Sequence, residues 1–247
     1  MKKPDFIIAG EARCGTTSLY EDLIKHPQIL PATPTSDVRY DNGNIYLSQK
    51  EPRFFDKNWF RGPNWYYTCF QDREGTITGE ASATYLYKTL SMARIKQLLP
   101  DVKIIILLRN PVDRLYSHFH HIKKFAPKWD TRYPTFERFI ESAHENDYYI
   151  IDKGMYAKSI KVCFDLFDVR QVHIVRSEDL FENPETVYVQ LLETLSVDPF
   201  SPIEFSALRS SNPSIKMPNH VRKMLTEFYA PYNAELEDII GRKMKWG

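Results

Sequence analysis

Residues 5–23, DFIIAGEARCGTTSLYEDL, have the residue types of a phosphate cradle. A short apolar run leads into a turn bounded by Gly10 and Gly15, and the next segment opens with the hydroxyl residues Thr16, Thr17 and Ser18. The glycines permit a tight turn. The amides from Gly15 to Ser18 would begin a helix whose free N–H groups and dipole attract an anion. Cys14 is expected to contribute its backbone amide. The usual nucleoside-triphosphate loop, G-x-x-x-x-G-K-[ST], carries a lysine after its second glycine. Here that position is Thr16, and the loop's cation is Arg13, two residues before Gly15. Its planar guanidinium suits phosphate or sulfate oxygens. The plainer reading of the same residues is a strand–turn–helix with a capping hydroxyl.

A second basic block, KIIILLRNPVDRLYSHF, spans residues 103–119. Arg109 falls at the carboxyl end of a buried strand, Asn110 can cap the following helix, and Pro111 suits its first turn. Ser117 lies about two helical turns on and returns to a similar face. Arg109 and Ser117 together could grip a second phosphate; a strand-end ion pair and an inert helix residue are the alternatives. The strand ends in arginine, not in a magnesium-binding aspartate, which disfavours ordinary ATP hydrolysis.

To present these groups, the chain needs buried strands ending near Gly10 and Arg109. Apolar runs at 6–10, 103–109 and 171–176 suit buried parallel strands, and 76–82 is a weaker fourth. Helical patterns occupy 16–25, 89–99, 111–124, 135–143, 156–167 and 184–195, with two more at 219–229 and 232–241. The alternation predicts an α/β fold, a P-loop NTPase-like sandwich with a mostly parallel central sheet flanked by helices. Ligands in such folds sit beyond the carboxyl ends of the strands. Residues 30–65, rich in Pro, Asn, Gly and aromatics with little regular period, read as a substrate-facing loop region.

The bulk numbers narrow the function. A chain of 247 residues, 43% hydrophobic, can bury the core of one domain. A net charge of +1 and a pI near 7.7 exclude a global basic field for nucleic acid. Cys14, Cys69 and Cys163, odd in number and unpatterned, fit a reducing compartment better than a disulfide or zinc framework. The apolar stretch before Glu11 is too short for a signal peptide or an integral membrane segment, so a cytoplasmic protein is expected. His118 and His121 share a helix face, but no carboxylate or cysteine stands at matching spacing, and no metal site is predicted.

The two basic blocks together resemble the PAPS-dependent sulfotransferases, where PAPS is 3′-phosphoadenosine 5′-phosphosulfate. That family carries [KR]-x-G-T-T and L-R-[ND]-P-x-x-R-x-x-S motifs. The chain matches them with Arg13-Cys14-Gly15-Thr16-Thr17 and with Leu108 through Ser117. The resemblance implies one sulfotransferase domain over 1–247, with the first loop on the 5′-phosphosulfate and Arg109 and Ser117 on the 3′-phosphate. It points to the carbohydrate branch, similar to the heparan sulfate sulfotransferases. The matches there are KEPRFFDKNW around Glu51, Gly79-Glu80-Ala81-Ser82-Ala83-Thr84-Tyr85, and Gly154-Met155-Tyr156. It implies Glu51 as the catalytic base, Tyr156 as a cofactor contact, and a loop near Asn212, Ser214 and Lys216 closing over the cofactor.

Phe54, Phe55 and Trp59 flank Glu51 and are expected to desolvate it. Arg13, where many relatives have lysine, can stabilise charge but not donate a proton. Arg53 and Ala81 stand where polymer-sulfating relatives often have histidine and lysine, which weakens the case for a heparan-like acceptor. The expected acceptor is a small molecule or glycan, with no nucleic acid involved and no metal required. A magnesium-dependent nucleotide kinase and a non-catalytic nucleotide-binding protein are the competing readings.

Overall fold

The computed structural model describes residues 1–33, 38–41, 44–47, 50–125, 133–145, 150–202, 204–206 and 217–246. Two compact units are present: Met1–Leu108 with Val162–Arg209, and Arg109–Lys161 with Ser210–Gly247.

The first unit is built on a five-stranded sheet of β1 (Phe6–Gly10), β2 (Ile29–Leu30), β5 (Ile77–Glu80), β6 (Lys103–Leu108) and β7 (Val172–Arg176). Its spatial order is β2-β5-β1-β6-β7, and every pairing is parallel. Parallel strands are covered on both faces, which is why β1 and the last five residues of β6 are wholly buried apolar runs. Phe6 and Ile8 of β1 and Ile105 and Leu107 of β6 point to one face. They pack there with α1 (Thr16–Leu23), through Leu19 and Leu23, and with a helix at Pro184–Leu195, through Val187, Leu191, Leu192 and Leu195.

The remaining helices, in chain order, are α2 (Gly62–Tyr67), α3 (Thr89–Leu98), α4 (Pro111–Phe125), α5 (Phe136–Glu145), α6 (Tyr156–Leu166), α7 (Ser177–Glu182) and α9 (Asn219–Ile240); Pro184–Leu195 is α8. The second unit has its own core. Val112, Leu115, Tyr116 and Phe119 of α4 meet Phe136, Phe139 and Ile140 of α5, and Val221, Leu225 and Tyr229 of α9.

The strands and helices expected from the sequence are present within a few residues; β2 and α7 were not anticipated, and two further differences concern residues 30–65 and α9. Residues 30–65 are not a structureless loop. They include an antiparallel hairpin of β3 (Val38–Asp41) and β4 (Asn44–Leu47), a π-helical turn at Phe54–Asn58, a 3₁₀ turn at Trp59–Arg61 and α2. The dipeptide Asn42-Gly43 between the hairpin strands is the sequence signal for a two-residue turn. The second difference is α9, one 22-residue helix where two were expected. Pro231 lies inside it and removes the hydrogen bond to the carbonyl of Glu227. Both residues are exposed, so water can take that bond and the helix continues.

Among the described residues no helix is long and apolar enough to cross a membrane.

Gly79 is tightly packed in β5, since a Cβ there would lie 2.6 Å from the Phe6 ring. Gly79→Ala is expected to cost about 1–3 kcal/mol through overpacking. Thermal unfolding should show a Tm lowered by several degrees.

Candidate active site

The loop after β1 is shaped by its backbone. The Cys14 amide donates to the Glu11 carbonyl oxygen at 3.2 Å and closes the turn. Arg13 takes a left-handed φ of 74°, sparsely populated for a residue with a Cβ. Gly15 has φ 92° as the residue capping α1, and no side chain caps the helix there. An added Cβ at Gly15 would meet the Phe181 ring at 3.0 Å and Leu180 at 3.3 Å. The loop is also tied to α7 by Ser177, whose hydroxyl donates to the Cys14 carbonyl at 2.8 Å. Glu11 is buried, and its Oε1 accepts the Ala12 amide at 2.8 Å. Neither Glu11 nor Ser177 was singled out by the sequence reading; Ser177 could not be, because only the fold brings it near Cys14. The first-turn amides of Thr16, Thr17 and Ser18 have no partner within the helix itself. Arg13, Gly15 and Thr17 are half-buried, while Cys14, Thr16 and Ser18 are buried.

Glu51 lies on a segment joined to the end of β5. The Ala81 amide donates to the Lys50 carbonyl at 2.8 Å, and the Arg53 amide donates to Ser82 Oγ at 3.3 Å. Lys50 Nζ is 2.9 Å from Glu51 Oε1, and the two side chains are only 17% and 12% exposed. The same ammonium reaches the Ala81 carbonyl at 3.4 Å. Lys50 is therefore a partner of Glu51 that the sequence reading did not name. Arg53 pairs through Nε and Nη2 with Asp56, which also accepts from Thr84 Oγ1 at 3.0 Å and Lys88 Nζ at 3.1 Å. Burial alone would raise the Asp56 carboxyl. The Arg53 guanidinium, with Lys88 and Thr84, outweighs burial and holds it below the usual carboxylate range.

Behind this segment lies an aromatic cluster. Phe54 stacks on Tyr66 at 4.6 Å, and Phe55 meets Tyr66 and Tyr85 edge-on at 5.1 and 5.5 Å. Phe54, Phe55, Tyr66 and Tyr85 are fully buried, so they are core. Phe60, by contrast, is 81% exposed. Glu80, the last residue of β5, is enclosed by this cluster. Its Oε1 accepts from the Tyr66 hydroxyl at 2.5 Å, and its Oε2 from Ser82 Oγ at 2.5 Å and Tyr85 at 3.2 Å. Burial pushes the Glu80 carboxyl up to about 7; the hydroxyl bonds oppose this and the Glu51 charge adds to it.

In the second unit, Arg109 precedes α4. Asn110 Oδ1 accepts the Val112 amide at 3.0 Å, the cap expected from the sequence. Ser117 is buried on α4. The Tyr156 hydroxyl donates to the Arg109 carbonyl at 2.9 Å, so Tyr156 fixes the backbone that bears the arginine. Asn212, Ser214 and Lys216 lie outside the described residues.

Comparisons with known proteins give the family of the chain. Residues 3–204 match the family described as the sulfotransferase domain. The chain is 29% identical over 202 residues to a bifunctional heparan sulfate N-deacetylase/N-sulfotransferase 1 of Caenorhabditis elegans, covering 80% of this chain and 22% of that protein. It is 26% identical over 268 residues to human heparan sulfate glucosamine 3-O-sulfotransferase 3B1, covering 98% of this chain and 65% of the relative. The chain thus spans about a fifth of the first relative and just under two thirds of the second. Its fold superposes on the crystal structure of a sulfotransferase from Alicyclobacillus acidocaldarius with a TM-score of 0.80 at 29% identity, covering 100% of this chain and 99% of the other. With the family matched over most of its length, the chain belongs to the sulfotransferase domain family.

Proposed function

We propose that the chain transfers a sulfuryl group from PAPS to a hydroxyl or amine of a glycan, glycolipid or small alcohol, with residues 1–247 acting as one sulfotransferase domain. One observation carries this reading. Strands β1 and β5 are parallel neighbours, the anion loop leaves the end of β1, and the segment bearing Glu51 is hydrogen-bonded to residues 81 and 82 beyond the end of β5. Anion donors and a carboxylate therefore belong to adjacent strand ends of one sheet.

The side chains fit the donor. Arg13, Thr16, Thr17 and Ser18 offer hydrogen-bond donors, and the α1 N-terminus adds amides and a favourable dipole. These groups, with Gly15 and the turn closed at Cys14, would hold the 5′-phosphosulfate. Bound PAPS would supply a sulfuryl group already attached to a phosphate leaving group. Arg13 and the helix amides would take the charge that develops on that phosphate. Arg109 and Ser117 would hold the 3′-phosphate, with Tyr156 fixing Arg109 from behind. Lys216 is assigned to the loop that closes over the cofactor.

Glu51 would accept the acceptor's proton, with Lys50 at 2.9 Å orienting its carboxylate. Asp56 engages two nitrogens of Arg53, which argues against Arg53 gripping an anionic polymer. A cytoplasmic location, for which the three unpatterned cysteines are the ground, is part of this reading.

Two measurements test this function. Calorimetry should find tight, metal-independent binding of adenosine 3′,5′-bisphosphate, weakened at least tenfold in Arg109→Ala. Preference for magnesium-ATP, indifferent to Arg109, would favour the kinase reading. In a screen of glycans and alcohols with ³⁵S-labelled PAPS, Glu51→Gln should lower turnover by about 10²–10⁴-fold while leaving bisphosphate binding intact. Undiminished turnover would remove Glu51 as the base, and no turnover in the parent chain would favour a non-catalytic protein.

A further inference from the structure

We infer that Glu80, acting through Ser82, is a positioning residue that sets the place of the Glu51 carboxylate. The inference rests on Glu51 being the proton acceptor. Glu80 makes no contact with the proposed acceptor in this scheme; what matters is what its hydrogen bonds hold.

Glu80 is fully buried, and among the described residues its hydrogen-bond partners are the hydroxyls of Tyr66, Ser82 and Tyr85. A carboxyl is a costly choice at a buried strand end, where an apolar side chain would pack without desolvation. Its bond to Ser82 Oγ, at 2.5 Å, fixes the oxygen that accepts the Arg53 amide at 3.3 Å. On the other side of Glu51, the Lys50 carbonyl accepts the Ala81 amide at 2.8 Å. The base is thereby held from both flanks by the two residues that follow Glu80. The restraint is needed at this point, because Arg53 has a left-handed φ of 51°, unfavourable for a residue with a Cβ.

The titration of Glu80 gives this tie a pH dependence. Three hydroxyls aim at two oxygens, and the carboxylate accepts from all of them with a lone pair to spare; the protonated acid loses that spare position and the charge that strengthens these bonds. The titratable and charged groups around it are Tyr20, whose hydroxyl reaches the Gly79 carbonyl, Tyr66 on α2, Tyr85, and Glu51 with Lys50 on the facing segment. Arg53 and Asp56 lie further along that segment and act on Tyr85. Burial and the Glu51 charge bring the Glu80 midpoint to about 7, so the tie is expected to tighten as pH rises through neutrality.

The test measures sulfate release from PAPS to water, from pH 5.5 to 9, for the parent, Glu51→Gln, Glu80→Gln and Ser82→Ala. The expected result is a parent rate that rises through an inflection near 7. Glu80→Gln should lack that inflection and turn over about ten- to a hundredfold more slowly, with KM for PAPS unchanged. Ser82→Ala should show a similar loss of rate, and it carries the test if Glu80→Gln does not fold. A residue that only packs would lower Tm without altering the pH profile. Parent-like rates and profile in Glu80→Gln or Ser82→Ala, with Glu51→Gln inactive, would overturn the inference alone. Full activity in Glu51→Gln would overturn the proposed base and the inference together.

Discussion

A parallel sheet covered on both faces has no interior room for chemistry. Its strands must be apolar along their length, as β1 and most of β6 are, so polar function is confined to the segments beyond each strand end. The chemistry proposed for the first unit depends on that confinement. β1 gives way to a loop of donors, and β5 gives way to Ala81 and Ser82, which hold the segment carrying Glu51. Because the strands run side by side in the same direction, these exits fall on the same edge of the sheet. The fold thus assigns the place before any side chain assigns the reaction.

The same edge also holds several of the polar groups that folding has to bury. Glu11, Glu80 and Ser82 are enclosed, and each has a specific hydrogen-bond partner. Such groups are stabilising only as complete sets, since a single unpaired buried donor or acceptor costs about 1–3 kcal/mol. Asp56 follows the same rule with charged partners, Arg53 and Lys88, together with the Thr84 hydroxyl. The loop bearing the carboxylate is therefore pre-organised by many modest bonds, each dependent on its neighbours.

The readable part of this design was local in the chain. The turn after β1 and the block from Lys103 to Ser117 declare themselves because strand, turn and helix start lie within a few residues, and Asn110 caps α4 as its position suggests. The mostly parallel central sheet followed from alternating apolar runs. The features that escaped were non-local or rested on a weak rule. Glu80 was visible as part of a quoted motif, but its partner Tyr66 is fourteen residues away, and no periodicity links them. Ser177 and Cys14 are 163 residues apart. The hairpin was hidden by the polar character of its surroundings, although Asn42-Gly43 was available as a signal. The break expected near Pro231 failed because a proline on a wet helix face loses only one bond that water can replace.

The π-helical turn after Arg53 bears on how such a site diversifies. There the Arg53 carbonyl accepts both the Lys57 amide at 2.9 Å and the Asn58 amide at 3.0 Å, so the turn holds one residue more than an α-helix requires. Losing that residue would restore an ordinary α-helical turn and rotate its downstream neighbours, Trp59 and the exposed Phe60, by about 100° about the helix axis. The turn after β1 follows another strand. Single-residue insertions and deletions at 54–58 would thus re-aim the surface beside Glu51, together with the pairing of Arg53 and Asp56.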